Sequence, residues 1–148
     1  MTFTTIAVDP GLTGAIAFYN PATPQDAEVF DLTQHAHTLH RLIVSRTNGL
    51  ERAVVELVNG RPGQRGVFNF GFGTGVVHGV LGCLGYEVET ISPAKWKPAM
   101  GLTGADKNVS RALAAQLFPH LKSQLARVKD DGRAEALLIA IYASSRPK

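Results

Sequence analysis

Residues 3–19 read Phe3-Thr4-Thr5-Ile6-Ala7-Val8-Asp9-Pro10-Gly11-Leu12-Thr13-Gly14-Ala15-Ile16-Ala17-Phe18-Tyr19. Threonine and apolar residues from Phe3 to Val8 predict a strand. Asp9-Pro10-Gly11 is a strong turn signal, and Gly14 to Tyr19 reads as a second strand. The chain therefore opens with a hairpin. Glu28 to Leu32, beyond the loop Asn20-Pro21-Ala22-Thr23-Pro24, extends it to a three-stranded antiparallel meander.

Working outward, Leu39, Leu42 and Ile43 recur at helical spacing within Ala36 to Ser45. Arg52 to Leu57 is a short buried strand. Val67 to Leu84 is too long an apolar run for one strand and predicts a helix, although each of its glycines costs about 1 kcal/mol there. Gly71, Gly75 and Gly79 share one face, which admits a close backbone neighbour, and packing within the chain is preferred here over a partner helix. Glu87 to Ile91 reads as a strand, and Ser92-Pro93 caps and starts a helix. Helical stretches follow at Asp106 to Phe118 and Leu121 to Val128. A last, buried helix runs from Asp131 to Ser144. This order predicts an α/β fold with a mixed sheet, an antiparallel meander plus parallel strands, flanked by helices.

With 148 residues, one domain spanning 1–148 is expected. The charge is uneven: residues 1–91 hold five Lys/Arg and eight Asp/Glu, whereas 92–148 hold ten and four. A basic second part suits a polyanionic partner. The single cysteine, Cys83, excludes an intrachain disulfide and a cysteine-ligated zinc site, and fits a reducing, cytoplasmic location. The amino terminus shows no secretory pattern, and the most apolar stretch, Phe70 to Leu84, is too short for a membrane span. The five histidines show no metal-ligand spacing; His35, His37 and His40 are read as helix surface.

Most of the twelve acids sit in polar surroundings. Asp9 does not: it ends the apolar run Ile6-Ala7-Val8, where an unpaired carboxylate is costly to bury and a metal would offset the cost. The competing reading is an Asp that caps the Pro10-Gly11 turn. Glu56 repeats the oddity inside Ala53-Val54-Val55-Glu56-Leu57-Val58. Asp131 and Glu135 stack one helical turn apart, with Asp130 at the helix start, and such like charges repel unless a cation sits between them or Asp131 serves as a cap. Clustered carboxylates are what hard divalent cations require.

The chain resembles the RuvC-like Holliday-junction resolvases, and more closely their short phage-encoded branch, along nearly its whole length. The resemblance rests on Val8-Asp9-Pro10-Gly11 with Gly14, on Val54-Val55-Glu56 followed by Pro62-Gly63-Gln64, on Pro93-Ala94-Lys95-Trp96-Lys97, and on Asp131-Gly132-Arg133-Ala134-Glu135-Ala136-Leu137-Leu138. It implies a ribonuclease-H-like fold and a homodimeric crossover junction endodeoxyribonuclease. The implied cofactor is two Mg²⁺ ions per site, with Mn²⁺ as a substitute, and the implied substrate is branched DNA: four-way junctions, forks or flaps. By position, Asp9, Glu56 and Glu135 match three of four catalytic acids.

Cellular members place the fourth acid three residues before the last, where this chain has Gly132. The role is assigned to Asp131, with Asp130 as the other candidate. Glu135 stands where many cellular members have aspartate. Their junction-wedging aromatic is replaced by Asn59; Phe68, Phe70 and Phe72 are possible substitutes, but their spacing fits core packing better. The resemblance puts Lys107 near the scissile phosphate as a catalytic residue. Arg61, Arg65, Lys95, Lys97, Lys107 and Arg111 are the expected DNA contacts, which set position and affinity without reading sequence. Trp96 is read first as a core anchor and second as a stacking platform. Two rival readings are a branched-DNA-binding module of the same fold that does not cleave, and an actin-like phosphate loop at Asp9 to Gly14, for which the chain is too short.

Overall fold

The computed structural model describes residues 2–147; Met1 and Lys148, the two ends of the expected domain, lie outside them. Five strands form one sheet: β1 (Thr5–Asp9), β2 (Ala15–Tyr19), β3 (Glu28–Asp31), β4 (Arg52–Glu56) and β5 (Glu89–Ile91), in the order β3-β2-β1-β4-β5. β1 pairs with β2, and β2 with β3, antiparallel; β1 pairs with β4, and β4 with β5, parallel. The expected mixed sheet is thus present, with the meander on one side of β1 and the parallel strands on the other.

Both faces are covered, and the strand alternation decides which residue faces what. Ile6 and Val8 of β1, Ile16 and Phe18 of β2, and Ala53 and Val55 of β4 pack with Leu39, Ile43, Val77, Val80 and Leu81 of two helices, α1 (Ala36–Val44) and α2 (Val67–Cys83). Ala7, Ala15, Ala17 and Val54 point the other way, toward α3 (Pro93–Ala99), α4 (Lys107–Leu117) and α5 (Asp131–Ser144). The alanines at the centre of β1 and β2 leave room for α5 to lie close to the sheet. Ala134, Ala136, Leu137, Leu138, Ile139, Ala140 and Ala143 of that helix are all fully buried. A helix that is apolar nearly all round belongs in a core.

One close contact between main chains fixes the start of α5, and another shapes the turn it rests on. A Cβ on Gly132 would overlap the carbonyl oxygen of Thr13, and a Cβ on Gly14 would overlap the carbonyl oxygen of Asp9. The β1–β2 turn and the first turn of α5 therefore touch backbone to backbone, and a side chain at Gly132 would force them apart, whereas one at Gly14 would break the turn itself.

Two expectations are corrected. Leu121 to Val128 is not an α-helix but 3₁₀ turns at Pro119–Leu125 and Val128–Asp130. Phe118 leaves the helical conformation, Pro119 restarts the chain without an N–H, and only Leu121 and Leu125 are buried to hold it, which suits short, tight turns. On α2, the close neighbour expected along Gly71, Gly75 and Gly79 is absent, because among the described residues nothing beyond the backbone of α2 itself lies within 4 Å of where their Cβ atoms would be. Its buried contacts come instead from Gly73, Val77, Val80 and Leu81, on the opposite face. The outward face carries Phe68 and Phe72, also exposed. Among the described residues no helix is long and apolar enough to cross a membrane.

Candidate metal centre

The register that aligns Ala7 with Val54 makes Asp9 and Glu56 the last inward-facing residues of adjacent parallel strands, on the α5 side of the sheet. Glu135 enters from the first turns of α5. A carboxylate oxygen from each of the three lies within 4.8 Å of the other two. All three residues are buried, at 7%, 8% and 6% exposure. The structure thus brings these three acids together.

The electrostatics are those of a site short of positive charge. Burial, and then the charges of Glu135 and Glu56, push the Asp9 carboxyl up to about 8, against one opposing hydrogen bond from the Gly11 N–H to Oδ1 at 3.0 Å. That bond is the turn-capping contact of the competing reading, so Asp9 both caps its turn and joins the cluster. Burial also pushes Glu56 above the usual carboxylate range, opposed by a hydrogen bond from Trp96 and by the charges of Lys97 and Lys107. Hard oxygen donors, buried together and under-neutralised, fit a divalent cation such as Mg²⁺ or Mn²⁺.

The other acids are occupied. Asp131 accepts from Arg111 Nε at 2.9 Å. Asp130, fully buried, accepts from the Arg127 backbone N–H at 2.9 Å and from its guanidinium, and Arg133 lies 3.7 Å away. Burial raises the Asp130 pKa, but the Arg127 contacts outweigh it and hold the carboxyl below its ordinary value. The structure therefore brings three of the five expected acids together. Gly132, where cellular resolvases are expected to carry an acid, has no room for one.

The basic residues divide likewise. Lys97 reaches the cluster, its Nζ 3.7 Å from Glu135 Oε1. Lys107, the first residue of α4, is exposed and close enough to act on Glu56 through its charge. Lys95 is exposed on α3, and Arg61 and Arg65 are exposed in the loop between β4 and α2. Arg111, expected on DNA, instead spends its guanidinium on Asp131, Asn108 and the Ala126 carbonyl. Phe68 and Phe72 are not core residues: Phe68 is 79% exposed, and the two rings stack with centroids 6.5 Å apart. Phe70 is half-buried, and His35, His37 and His40 are exposed as expected.

Sequence reasoning underused Trp96. It is buried, as a core anchor should be, and its Nε1 donates to Glu56 Oε2 at 2.6 Å. The available signal was its position five residues beyond Ile91, the strand residue paired with Glu56.

No family model matches the chain. It is 44% identical over 71 residues to the chloroplastic Holliday junction resolvase MOC1 of Chlamydomonas reinhardtii, a stretch covering 47% of this chain and 8% of that protein. The chain therefore aligns with only a small fraction of the curated relative's length. Two solved structures are similar over 95% of both chains: Thermus thermophilus RuvC in complex with a Holliday junction substrate, at TM-score 0.62 and 16% identity, and the Thermus thermophilus RuvC structure, at 0.60 and 20%. The chain has the RuvC fold, a ribonuclease-H-like mixed sheet between helices.

Proposed function

We propose that this chain is a metal-dependent, structure-selective DNA endonuclease that resolves Holliday junctions or related branched DNA by paired nicks. The observation that carries the reading is the buried cluster of Asp9, Glu56 and Glu135, supported by the likeness to RuvC and to a Holliday junction resolvase. Asp9, Glu56 and Glu135 would hold two Mg²⁺ ions, for which Mn²⁺ substitutes. When bound, such ions supply an activated water for in-line attack at phosphorus and neutralise the departing 3′ oxygen. Each remaining step belongs to the protein. Asp9 must be ionised to hold a cation, which its burial beside two other acids opposes in the metal-free protein. Lys97, 3.7 Å from Glu135, and exposed Lys107 place positive charge beside the scissile phosphate. Lys95, Arg61 and Arg65 position the flanking backbone without selecting sequence. Asp131 is kept as a fourth donor only if DNA draws Arg111 away from it.

Paired nicks need two sites, and the exposed face of α2 offers the means. Phe68, Phe72, Gly75 and Gly79 lie at spacings of four, three and four residues, so they form one stripe that a second copy would cover. Light scattering should give twice the chain mass, and Gly75→Gln, which places a long side chain in that stripe, should halve it. A Gly75→Gln protein that remains dimeric places the interface elsewhere.

The deciding assay is one gel of synthetic four-way, forked, flapped and linear DNA with Mg²⁺, Mn²⁺ or chelator. Symmetric nicks in branched substrates alone are expected, and chelator should remove them. Asp9→Asn and Glu56→Gln should each abolish nicking while junction binding persists. Cleavage by either at the wild-type rate removes the acids from the mechanism, and tight binding without any cleavage by the wild type makes the chain a binding module.

A further inference from the structure

The chain has one tryptophan, and its only side-chain N–H points at a buried acid. Ser92 caps α3 through the Ala94 N–H, Pro93 takes the first helical position, and the Trp96 N–H bonds the Ser92 carbonyl at 3.2 Å. This first turn follows directly on Ile91, the neighbour of Glu56 across the parallel pair β4–β5. The indole thereby lands beside the Glu56 carboxylate, 2.6 Å from Oε2, with no exposed surface. Lys97, the next residue, reaches Glu135. One short helix thus supplies a neutral donor to one acid and a cation to another.

We propose that Trp96 is a positioning residue for the metal centre, holding Glu56 in the rotamer that presents its carboxylate to Asp9 and Glu135; the inference rests on the metal-dependent reading above. Three properties suit the indole to that task. It has one donor and no acceptor, so it engages one oxygen and leaves the second for a cation. It carries no charge, so unlike a lysine or arginine it does not compete with the metal for the carboxylate. Its ring is locked by the core, so the bond is made before any ligand arrives and the freezing of the glutamate side chain is not left to the binding step.

The test compares wild type with Trp96→Phe, which keeps an aromatic ring in the core and removes the N–H. Free Mn²⁺ is counted by electron paramagnetic resonance in protein titrations without DNA. The variant should bind Mn²⁺ about 10- to 100-fold more weakly. Its nicking of a four-way junction should need correspondingly more Mn²⁺ for half-maximal rate and recover most of the wild-type maximum at saturation. A purely structural role for Trp96 would lower the amount of folded protein without changing the metal dependence of the folded fraction. A second measurement leaves Trp96 in place and is read on folded protein. The single indole N–H resonance of uniformly ¹⁵N-labelled protein should move upfield in Glu56→Ala relative to wild type and shift on Mg²⁺ addition to wild type. Equal Mn²⁺ affinity in Trp96→Phe, or an indole resonance unmoved by Glu56→Ala, overturns the inference alone. A wild-type protein that binds no Mn²⁺ overturns the metal-dependent reading and the inference with it.

Discussion

Glu51 and Asp9 are equally buried, at 7% exposure, and sit at opposite ends of the same sheet. Their surroundings could hardly differ more. Glu51, just before β4, accepts from the Asn48 and Gly49 backbone N–H groups at 2.8 and 3.0 Å and from the Tyr86 hydroxyl at 2.6 Å. Burial alone raises its pKa, but these donors outweigh it and hold the carboxyl below the ordinary glutamate value. Beside it, a cleft of about 600 Å³ is lined by two arginines that are already paired, Arg52 with Glu89 at 2.7 Å and Arg146 with Glu89 at 3.1 Å. Asp9 has one backbone donor and two acidic neighbours. The lesson is that burial does not mark a functional acid. What marks it is burial left without enough donors, a cost that a folded chain keeps only where something else will supply the charge.

This contrast can be broken by titration. The Asp9 pKa rises from 3.8 in the unfolded chain to about 8 in the fold. Between those values the folded state binds more protons than the unfolded one, so stability is fully present below about pH 4 and is lost as pH climbs toward 8. Metal-free protein should lose up to about 1.4 kcal/mol for each pH unit in that window from this group. Mg²⁺ should restore stability most at the alkaline end, where no proton need be displaced. Glu51 has the opposite sign, its stabilisation being lost only as pH falls below the ordinary glutamate range. Urea melts at a series of pH values, with Mg²⁺ or chelator, measure this; a metal-free profile that is flat from pH 5 to 8 removes the claim that Asp9 is under-neutralised.

Substitution sharpens it. Glu51→Gln should cost about 1.5 to 3 kcal/mol, because it weakens charge-assisted bonds and turns one acceptor into an amide with no partner. Nicking by the folded fraction should be untouched. Asp9→Asn should do the reverse at pH 8, gaining about 1 kcal/mol in metal-free protein while losing all nicking, the exchange of activity for stability expected where charge is concentrated for function. If both substitutions destabilise alike in urea melts, the two ends are not different in kind.

How much of this was legible in the sequence follows from the same contrast. Asp9, Glu56 and Glu135 stood out because each interrupts or borders an apolar run, but it was the resemblance, not the periodicity, that joined them into one set. The mixed sheet followed from the opening hairpin and the single strands between helices. Glu51 did not stand out, since Asn48-Gly49-Leu50-Glu51 reads as an ordinary polar turn; its donors come from turn geometry and from Tyr86, thirty-five residues away. The pairing of Arg111 with Asp131 was equally hidden, because both residues were legible only as candidates for DNA and metal. The open face of α2 was misread since glycine spacing reveals that a surface can be approached but says nothing of whether the chain itself approaches it.

The backbone contact between Gly132 and Thr13 gives the centre the mechanics of a vise with one fixed jaw. Asp9 stands at the base of the turn that α5 leans on, and Glu135 stands one turn above the point of contact, so main chain rather than side-chain packing sets how far apart those two acids stand. No repacking of the core can widen that gap without breaking the contact, and a substitution at Gly132 should misplace Glu135 even though no liganding atom is changed. The facing jaw is α3, seven residues long, with Trp96 against Glu56 and Lys97 against Glu135. That jaw is held by side-chain packing instead of main chain, through the fully buried Trp96 ring, so the opening between the two is set before anything enters it.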